Sequence, residues 1–300
     1  MSTINFSQIY VLGAGAIGSY YGSQLSKRLN VTLISREAHV NEVNEKGLNV
    51  TGTVQGVYKL KASTKLTTIS KNALIIITTK AQDLKNTLIE TKHLYNDDST
   101  LLLLQNGHGN EEIAREIIGP NVPLARGLVT TGVNFLAPGM IDVKLANPTV
   151  IKDSPTGSAI AALFRICGLD VTLSNNMGYE IWRKLVLNCV INPLTALYKV
   201  PNKEIAVETL RGVINGIVDE CRDVAAEEGV TLEHDMAETV YNTAAMYSNM
   251  SSMCQDIIKG KRTEIDFLNG RVSELGRRYD VATPVNDTLS VLIHYLEGRR

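Results

Sequence analysis

Lys184, Asn188 and Asn192 stand at i, i+4 and i+8 in the segment Trp182-Arg183-Lys184-Leu185-Val186-Leu187-Asn188-Cys189-Val190-Ile191-Asn192-Pro193. At 3.6 residues per turn each four-residue step drifts by only about 40°, so the three side chains share one helical face. The rest of the segment is apolar on nearly every side, the pattern of a buried helix. A lysine in such a helix must shift its pKa, find a carboxylate or face a wet cleft. The plain alternative is a lysine whose stem lies along a core helix while its head snorkels to water. Two amides on the lysine's own face favour a polar pocket, and with it a site.

Two other stretches of the carboxyl-terminal half offer polar groups among apolar ones. Asn249-Met250-Ser251-Ser252-Met253 reads as a helix start, with hydroxyls and backbone amides available. In Arg262-Thr263-Glu264-Ile265-Asp266-Phe267-Leu268-Asn269-Gly270, Thr263 is placed to cap a helix with Glu264 in its first turn, where a carboxylate is favourable. That is the structural reading of Glu264, an acid set among apolar residues.

Near the amino terminus Gln8-Ile9-Tyr10-Val11-Leu12 runs into Gly13-Ala14-Gly15-Ala16-Ile17-Gly18, then a helical pattern, then Val31-Thr32-Leu33-Ile34-Ser35. Strand, glycine loop, helix and strand in this order form the context of a dinucleotide-binding fingerprint. Gly13 permits the tight turn, Gly15 lets backbone approach a pyrophosphate, and Gly18 lets the helix pack on the strand. The phosphate then lies at a helix N-terminus. After the second strand, where an acid would accept bonds from a ribose 2′-OH, stands Arg36, followed by Glu37. A guanidinium pairs with a 2′-phosphate through two parallel bonds, which favours NADP(H) over NAD. Glu37 as the ribose acid is the alternative.

Ala73-Leu74-Ile75-Ile76-Ile77-Thr78-Thr79 and Thr100-Leu101-Leu102-Leu103-Leu104 are apolar on both faces, as central parallel strands are. Their ends carry Lys80 and Gln105-Asn106-Gly107-His108-Gly109. Ligands of open α/β sheets bind outside the carboxyl ends of strands, so Lys80 and Asn106 join the candidate cofactor site. Segments 124–134 and 141–145, with a Pro138-Gly139 turn, predict an antiparallel extension of the sheet. A helix over 158–167 and a strand over 169–173 follow. Beyond the Ser174-Asn175-Asn176 cluster, helical patterns dominate, over 205–228 with Gly229 as its cap, 235–248 and 288–296. The expected architecture is α/β: a Rossmann-type doubly wound parallel sheet over 1–175 and an all-α substrate domain over 176–300.

Composition bounds the partners. A net charge of −1 over 300 residues gives no footprint for nucleic acid or anionic membrane, and no apolar run reaches membrane-spanning length. The amino terminus lacks the pattern of a signal peptide. Cys167, Cys189, Cys221 and Cys254 show no paired spacing and read as structural thiols of a cytoplasmic protein. No histidine cluster supports a metal site. The helical domain is apolar enough to bury a homodimer surface.

Together these residues resemble the ketopantoate reductase family from Gly13 to Pro284. The specific blocks are Trp182-Arg183-Lys184-Leu185 with Asn188 and Asn192-Pro193-Leu194-Thr195-Ala196, Ser251-Ser252-Met253 with Gln255-Asp256, and Thr263-Glu264-Ile265-Asp266 with Asn269-Gly270. The resemblance implies NADPH-dependent reduction of 2-dehydropantoate to (R)-pantoate, in pantothenate and coenzyme A biosynthesis. It implies that Lys184 acts on the carbonyl oxygen, with Glu264 bonding the same region. Asn188, Asn192, Asn249 and Ser252 are then expected to hold the substrate's hydroxyl and carboxylate, with Asn106 beside them. Arg36, Lys80 and Asn106 are expected at the NADPH site with the glycine loop. His108 departs from the family pattern, which usually has an apolar residue there. The alternatives are a reductase of another branched 2-oxo acid on the same scaffold, and a silent NADP-binding regulator, which would be expected to have lost Lys184 or Glu264.

Overall fold

The computed structural model describes residues 6–298. It divides into two compact units, one formed by 6–105 and 110–177, the other by 106–109 and 178–298. The short segment 106–109 therefore packs with the helical unit.

The first unit runs β1 (Gln8–Leu12), α1 (Ala16–Leu25), β2 (Val31–Ile34), α2 (Glu37–Lys46), β3 (Leu48–Gly52), β4 (Gly56–Tyr58), β5 (Lys61–Ser63), β6 (Ala73–Ile77), α3 (Ala81–Thr91), β7 (Thr100–Leu103), α4 (Asn110–Ile118), β8 (Leu124–Leu128), β9 (Gly132–Ala137), β10 (Met140–Leu145), β11 (Thr149–Lys152), α5 (Pro155–Ile166) and β12 (Val171–Ser174). Eight of these strands form one sheet in the order β12-β11-β8-β7-β6-β1-β2-β5. The chain builds outward from β1 through β2, then restarts at β6 on the other side. The switch point thus lies between β1 and β6, where a doubly wound sheet opens its ligand crevice. The two faces follow from alternation. Ile9, Val11, Leu74 and Ile76 enter one apolar core, while Tyr10, Leu12, Ile75 and Ile77 enter the other. Both faces being covered, β6 is apolar throughout and β7 is apolar after Thr100.

The extension of this sheet differs from expectation. β8 pairs parallel with β7, and the antiparallel step comes one strand later, between β8 and β11. The hairpin of β9 and β10 leaves the main sheet altogether. It joins β3 and β4 in a second sheet of order β4-β3-β10-β9, with β10 parallel to β3. Val50, Ile141 and Val143 carry its apolar side into the core around α1. His39 on α2 clasps this region. Its Nε2 meets Ser19 Oγ at 3.1 Å and its Nδ1 accepts from Gly139 N–H at 3.0 Å, which fixes the neutral tautomer with the proton on Nε2. Burial pushes its pKa below the ordinary 6.5.

The helical unit is built on α6 (Met177–Tyr198), α7 (Arg211–Glu227), α8 (Met236–Met246), α9 (Ser252–Ile258), α10 (Asn269–Tyr279) and α11 (Pro284–Gly298). Trp182, Val186, Cys189 and Val190 of α6 lie at the centre of its core. The helix expected over 205–228 is shorter, because 3₁₀ turns at Asn202–Ile205 and Glu208–Leu210 precede α7. Asn202 and Lys203 donate their N–H groups to the carbonyls of Asn249 and Tyr247, so that stretch bonds to a loop instead of extending the helix. All four cysteines are buried and unbridged. No helix among the described residues is long and apolar enough to cross a membrane.

Pro193 lies inside α6, and a proline has no N–H for the carbonyl four residues back. That carbonyl belongs to Cys189, and Asn269 Nδ2 donates to it at 2.9 Å. The second N–H of the same amide goes to Asn286 Oδ1 at 2.9 Å. Glu220 then accepts from Asn286 Nδ2 at 2.7 Å and from the backbone N–H groups of Val285 and Asn286. One polar chain thus fastens α6, α10, α11 and α7 around the missing hydrogen bond.

Candidate functional site

In the first unit, Gly13 leaves β1 at φ +83°, and a Cβ there would lie 2.5 Å from Thr79 N, so only glycine fits. Gly13 and Ala14 donate N–H to Ile34 O, and Ser35 and Thr78 hydroxyls donate to the carbonyls of Ala14 and Gly13. The loop is clamped between β2 and β6. Gly15, exposed just before α1, would meet only Gly13 O at 3.9 Å if it had a Cβ, so its outer side is open. Ala16 and Ile17 form the first turn of α1, whose N–H groups point into that opening. At Gly18 a Cβ would come within 2.4 Å of Thr78 Oγ1. The contact explains the third glycine.

Arg36 precedes α2 in extended conformation, exposed, with Glu37 exposed beside it in the first helical turn. Lys80 holds the equivalent place before α3 and is half-buried. At the ends of β6 and β7, Thr79 Oγ1, Gln82 Oε1 and both amide atoms of Gln105 are buried without a hydrogen-bond partner. Buried polar atoms are nearly always paired. An open glycine cradle, a helix N-terminus and orphaned donors and acceptors at the strand ends fit a dinucleotide. Sequence reading missed Thr79, Gln82 and Gln105, because their types are unremarkable and only burial marks them.

In the helical unit, Lys184 Nζ donates to Asn106 Oδ1 at 2.9 Å, and Asn106 Nδ2 donates to Glu264 Oε2 at 3.2 Å. Lysine is a donor only and a carboxylate an acceptor only, so the amide of Asn106 can face just one way. All three side chains are half-buried. Glu264 is not in the first turn of an α-helix as expected. Thr263 Oγ1 accepts from Ile265 N–H at 3.3 Å, Glu264 is itself the residue before a 3₁₀ turn, Ile265–Phe267, and α10 starts only at Asn269. This short turn places Glu264 before the helix and frees its carboxylate from dipole duty.

Asn188 and Asn192 follow Lys184 along α6, half-buried and buried respectively. Ser251, not Ser252, caps α9, accepting from Cys254 N–H at 3.1 Å. Its hydroxyl also meets Thr195 Oγ1 at 2.6 Å, and Thr195 Oγ1 reaches Ile191 O at 2.7 Å. The start of α9, with exposed Ser252 as first residue, is thereby fixed to α6 beside Asn192. Asn249 is exposed in the preceding loop, its Nδ2 on Met250 O at 3.2 Å. The arrangement offers an ammonium held by an amide that a carboxylate holds in turn, with further amides and a hydroxyl on the same unit. It can stabilise an oxyanion and give it a proton.

The comparisons with known proteins agree over both units. Residues 9–156 match the family described as "Ketopantoate reductase PanE/ApbA", and 176–297 match its C-terminal counterpart. The 2-dehydropantoate 2-reductase of Pyrococcus horikoshii is 34% identical, over 97% of this chain and 98% of that protein. That of Streptococcus pyogenes serotype M1 is 30% identical, over 97% and 98%. A PanE/ApbA family ketopantoate reductase from Ralstonia eutropha JMP134 has a similar structure, with TM-score 0.91 and 29% identity over 97% of this chain and 98% of that one. A D-mandelate dehydrogenase solved with NADH and anilino(oxo)acetate aligns with TM-score 0.85 and 29% identity, over 97% and 98%.

Proposed function

As the chain belongs to the ketopantoate reductase family and is an oxidoreductase of that type, we propose that it reduces 2-dehydropantoate to (R)-pantoate with NADPH, and that Lys184 is its acid. The observation that carries this reading is the bonded group Lys184–Asn106–Glu264. A 2-oxo carbon that gains hydride leaves negative charge on its oxygen, and a pre-placed ammonium there stabilises that charge without reorganising. Lys184 donates to the carbonyl oxygen and then passes its proton to it. Asn106 orients the ammonium, and Glu264 holds Asn106 and balances the charge. Asn188, Asn192, Asn249 and Ser252 bind the substrate's carboxylate and hydroxyl.

Gly13, Ala14, Gly15, Ala16, Ile17 and Gly18 would cradle the pyrophosphate, with Lys80 and the strand-end amides along the rest of the cofactor. NADPH, when bound, supplies the hydride. Arg36 would pair with the 2′-phosphate, since a cation stands where a NAD site has an acid. The likeness to a D-mandelate dehydrogenase solved with NADH keeps a second reading in view, a reductase of a different 2-oxo acid. The test is direct: purified protein mixed with NADPH and 2-dehydropantoate consumes NADPH absorbance and forms pantoate. No consumption with this acid, but consumption with another, replaces the first reading by the second.

A further inference from the structure

We infer that His108 is a positioning residue for the Lys184–Asn106–Glu264 group, a conclusion that rests on the reaction just proposed. Asn106 is followed by Gly107 and Gly109, on either side of His108, with φ of +85° and +88°, and a Cβ at Gly107 would lie 2.5 Å from Phe267 O, so the stretch turns tightly against backbone of the helical unit. Glycine permits such φ values but brings no side chain to hold the turn. His108 supplies a side-chain anchor. Its N–H donates to Phe267 O at 3.3 Å, its Nε2 lies 3.0 Å from Glu228 Oε2, and Arg271 Nε donates to its Nδ1 at 3.4 Å. An Nδ1 that accepts from a guanidinium leaves the proton on Nε2, so His108 donates to Glu228 as a neutral ring.

Glu228, at the end of α7, also accepts from Trp182 Nε1 at 3.2 Å on the same oxygen, and from Tyr279 OH at 3.4 Å on the other. The Trp182 and His108 rings pack at 5.4 Å. Trp182 precedes Lys184 by two residues, and His108 follows Asn106 by two. One carboxylate therefore ties down both the helix that carries the lysine and the segment that carries the amide. The 2.9 Å bond between Lys184 and Asn106 depends on that shared anchor. Glu228 and Arg271 are charged groups that meet the ring, Arg271 being paired in turn with Glu274 at 2.9 Å.

Three variants separate positioning from bulk stability. In His108→Gln the amide nitrogen reaches the place of Nε2 and can still donate to Glu228. The shorter side chain of His108→Asn reaches only the place of Nδ1, and His108→Ala reaches neither. The Ala and Asn variants are expected to lose about 10- to 100-fold in kcat, the cost of a reacting group misplaced by about 1 Å, with KM for NADPH held within about twofold. The Gln variant should recover most of the rate. Amide hydrogen exchange across residues 104–110 should speed up in the Ala and Asn variants and stay at the wild-type rate in Gln. Equal rates for Gln and Asn, or wild-type exchange in the Ala variant, overturn the inference. A wild-type enzyme that does not reduce 2-dehydropantoate would instead sink the reaction reading, and the exchange pattern would still decide whether His108 is the anchor.

Discussion

The glycine loop after β1 and the proline break in α6 both depend on a missing atom, yet they leave different marks on the chain. Gly13 lacks a Cβ that would strike Thr79 at 2.5 Å, and its loop is formed from contiguous backbone. Pro193 lacks an N–H, and the vacancy on Cys189 is filled by Asn269, 80 residues away. The group around Lys184 on the same helix likewise joins distant residues, Asn106 standing 78 residues from Lys184 and 158 from Glu264. A site made of backbone is written locally; a site made of side chains is assembled by packing. The first unit holds groups suited to binding, the second groups suited to chemistry.

That division can be broken by substitution. Lys184→Ala should lower kcat by at least about 10²-fold, the low end for losing an acid or oxyanion donor, while NADPH affinity in a fluorescence titration stays near wild type. A variant that keeps more than about a tenth of the rate places the acid elsewhere. Arg36→Ala should do the reverse. NADPH binding weakens by about 1.5–3 kcal/mol, as for a hydrogen bond to a charged group, and NADH binding hardly changes. Equal losses for both cofactors would remove the 2′-phosphate assignment.

Two smaller effects sharpen the contrast in stability. Asn269→Leu leaves the carbonyl of Cys189 buried without its donor, so the urea midpoint should fall by the equivalent of about 1–3 kcal/mol. An unchanged midpoint would mean that the proline break needs no side-chain partner. In the first unit His39 has its pKa lowered by burial. Below the ordinary value of 6.5 the unfolded chain then binds the proton more readily than the folded one. Its contribution is fully present above pH 6.5 and is lost as pH falls through the lower folded value. Thermal melts of wild type and His39→Leu should therefore converge with acidification; parallel curves would contradict the neutral clasp.

Legibility followed the same division. The glycine loop, the apolar strands β6 and β7 and the shared face of Lys184, Asn188 and Asn192 were all readable, since each is a local pattern. The second sheet was not. β3, β4, β9 and β10 are short, and nothing local states that β10 pairs with β3, some 90 residues earlier, and not with β8. Helix ends erred where tertiary bonds diverted the backbone, as at Asn202 and Lys203. Asn106 was readable as a candidate from its place after a strand, but its partnership with Lys184 and Glu264 is a product of packing. The capping role of Ser251 was hidden because Ser252 beside it satisfies the same pattern.

We propose that the polar groups of the helical unit hold a 2-oxo acid bearing a hydroxymethyl group. Relative kcat/KM on 2-dehydropantoate and on 2-oxoisovalerate, which lacks that hydroxyl, measures it most directly. Amides left unpaired by the poorer substrate cost about 1–3 kcal/mol each, so the wild-type enzyme is predicted to favour 2-dehydropantoate by about 100-fold or more. Similar values for the two acids would contradict the assignment of the substrate.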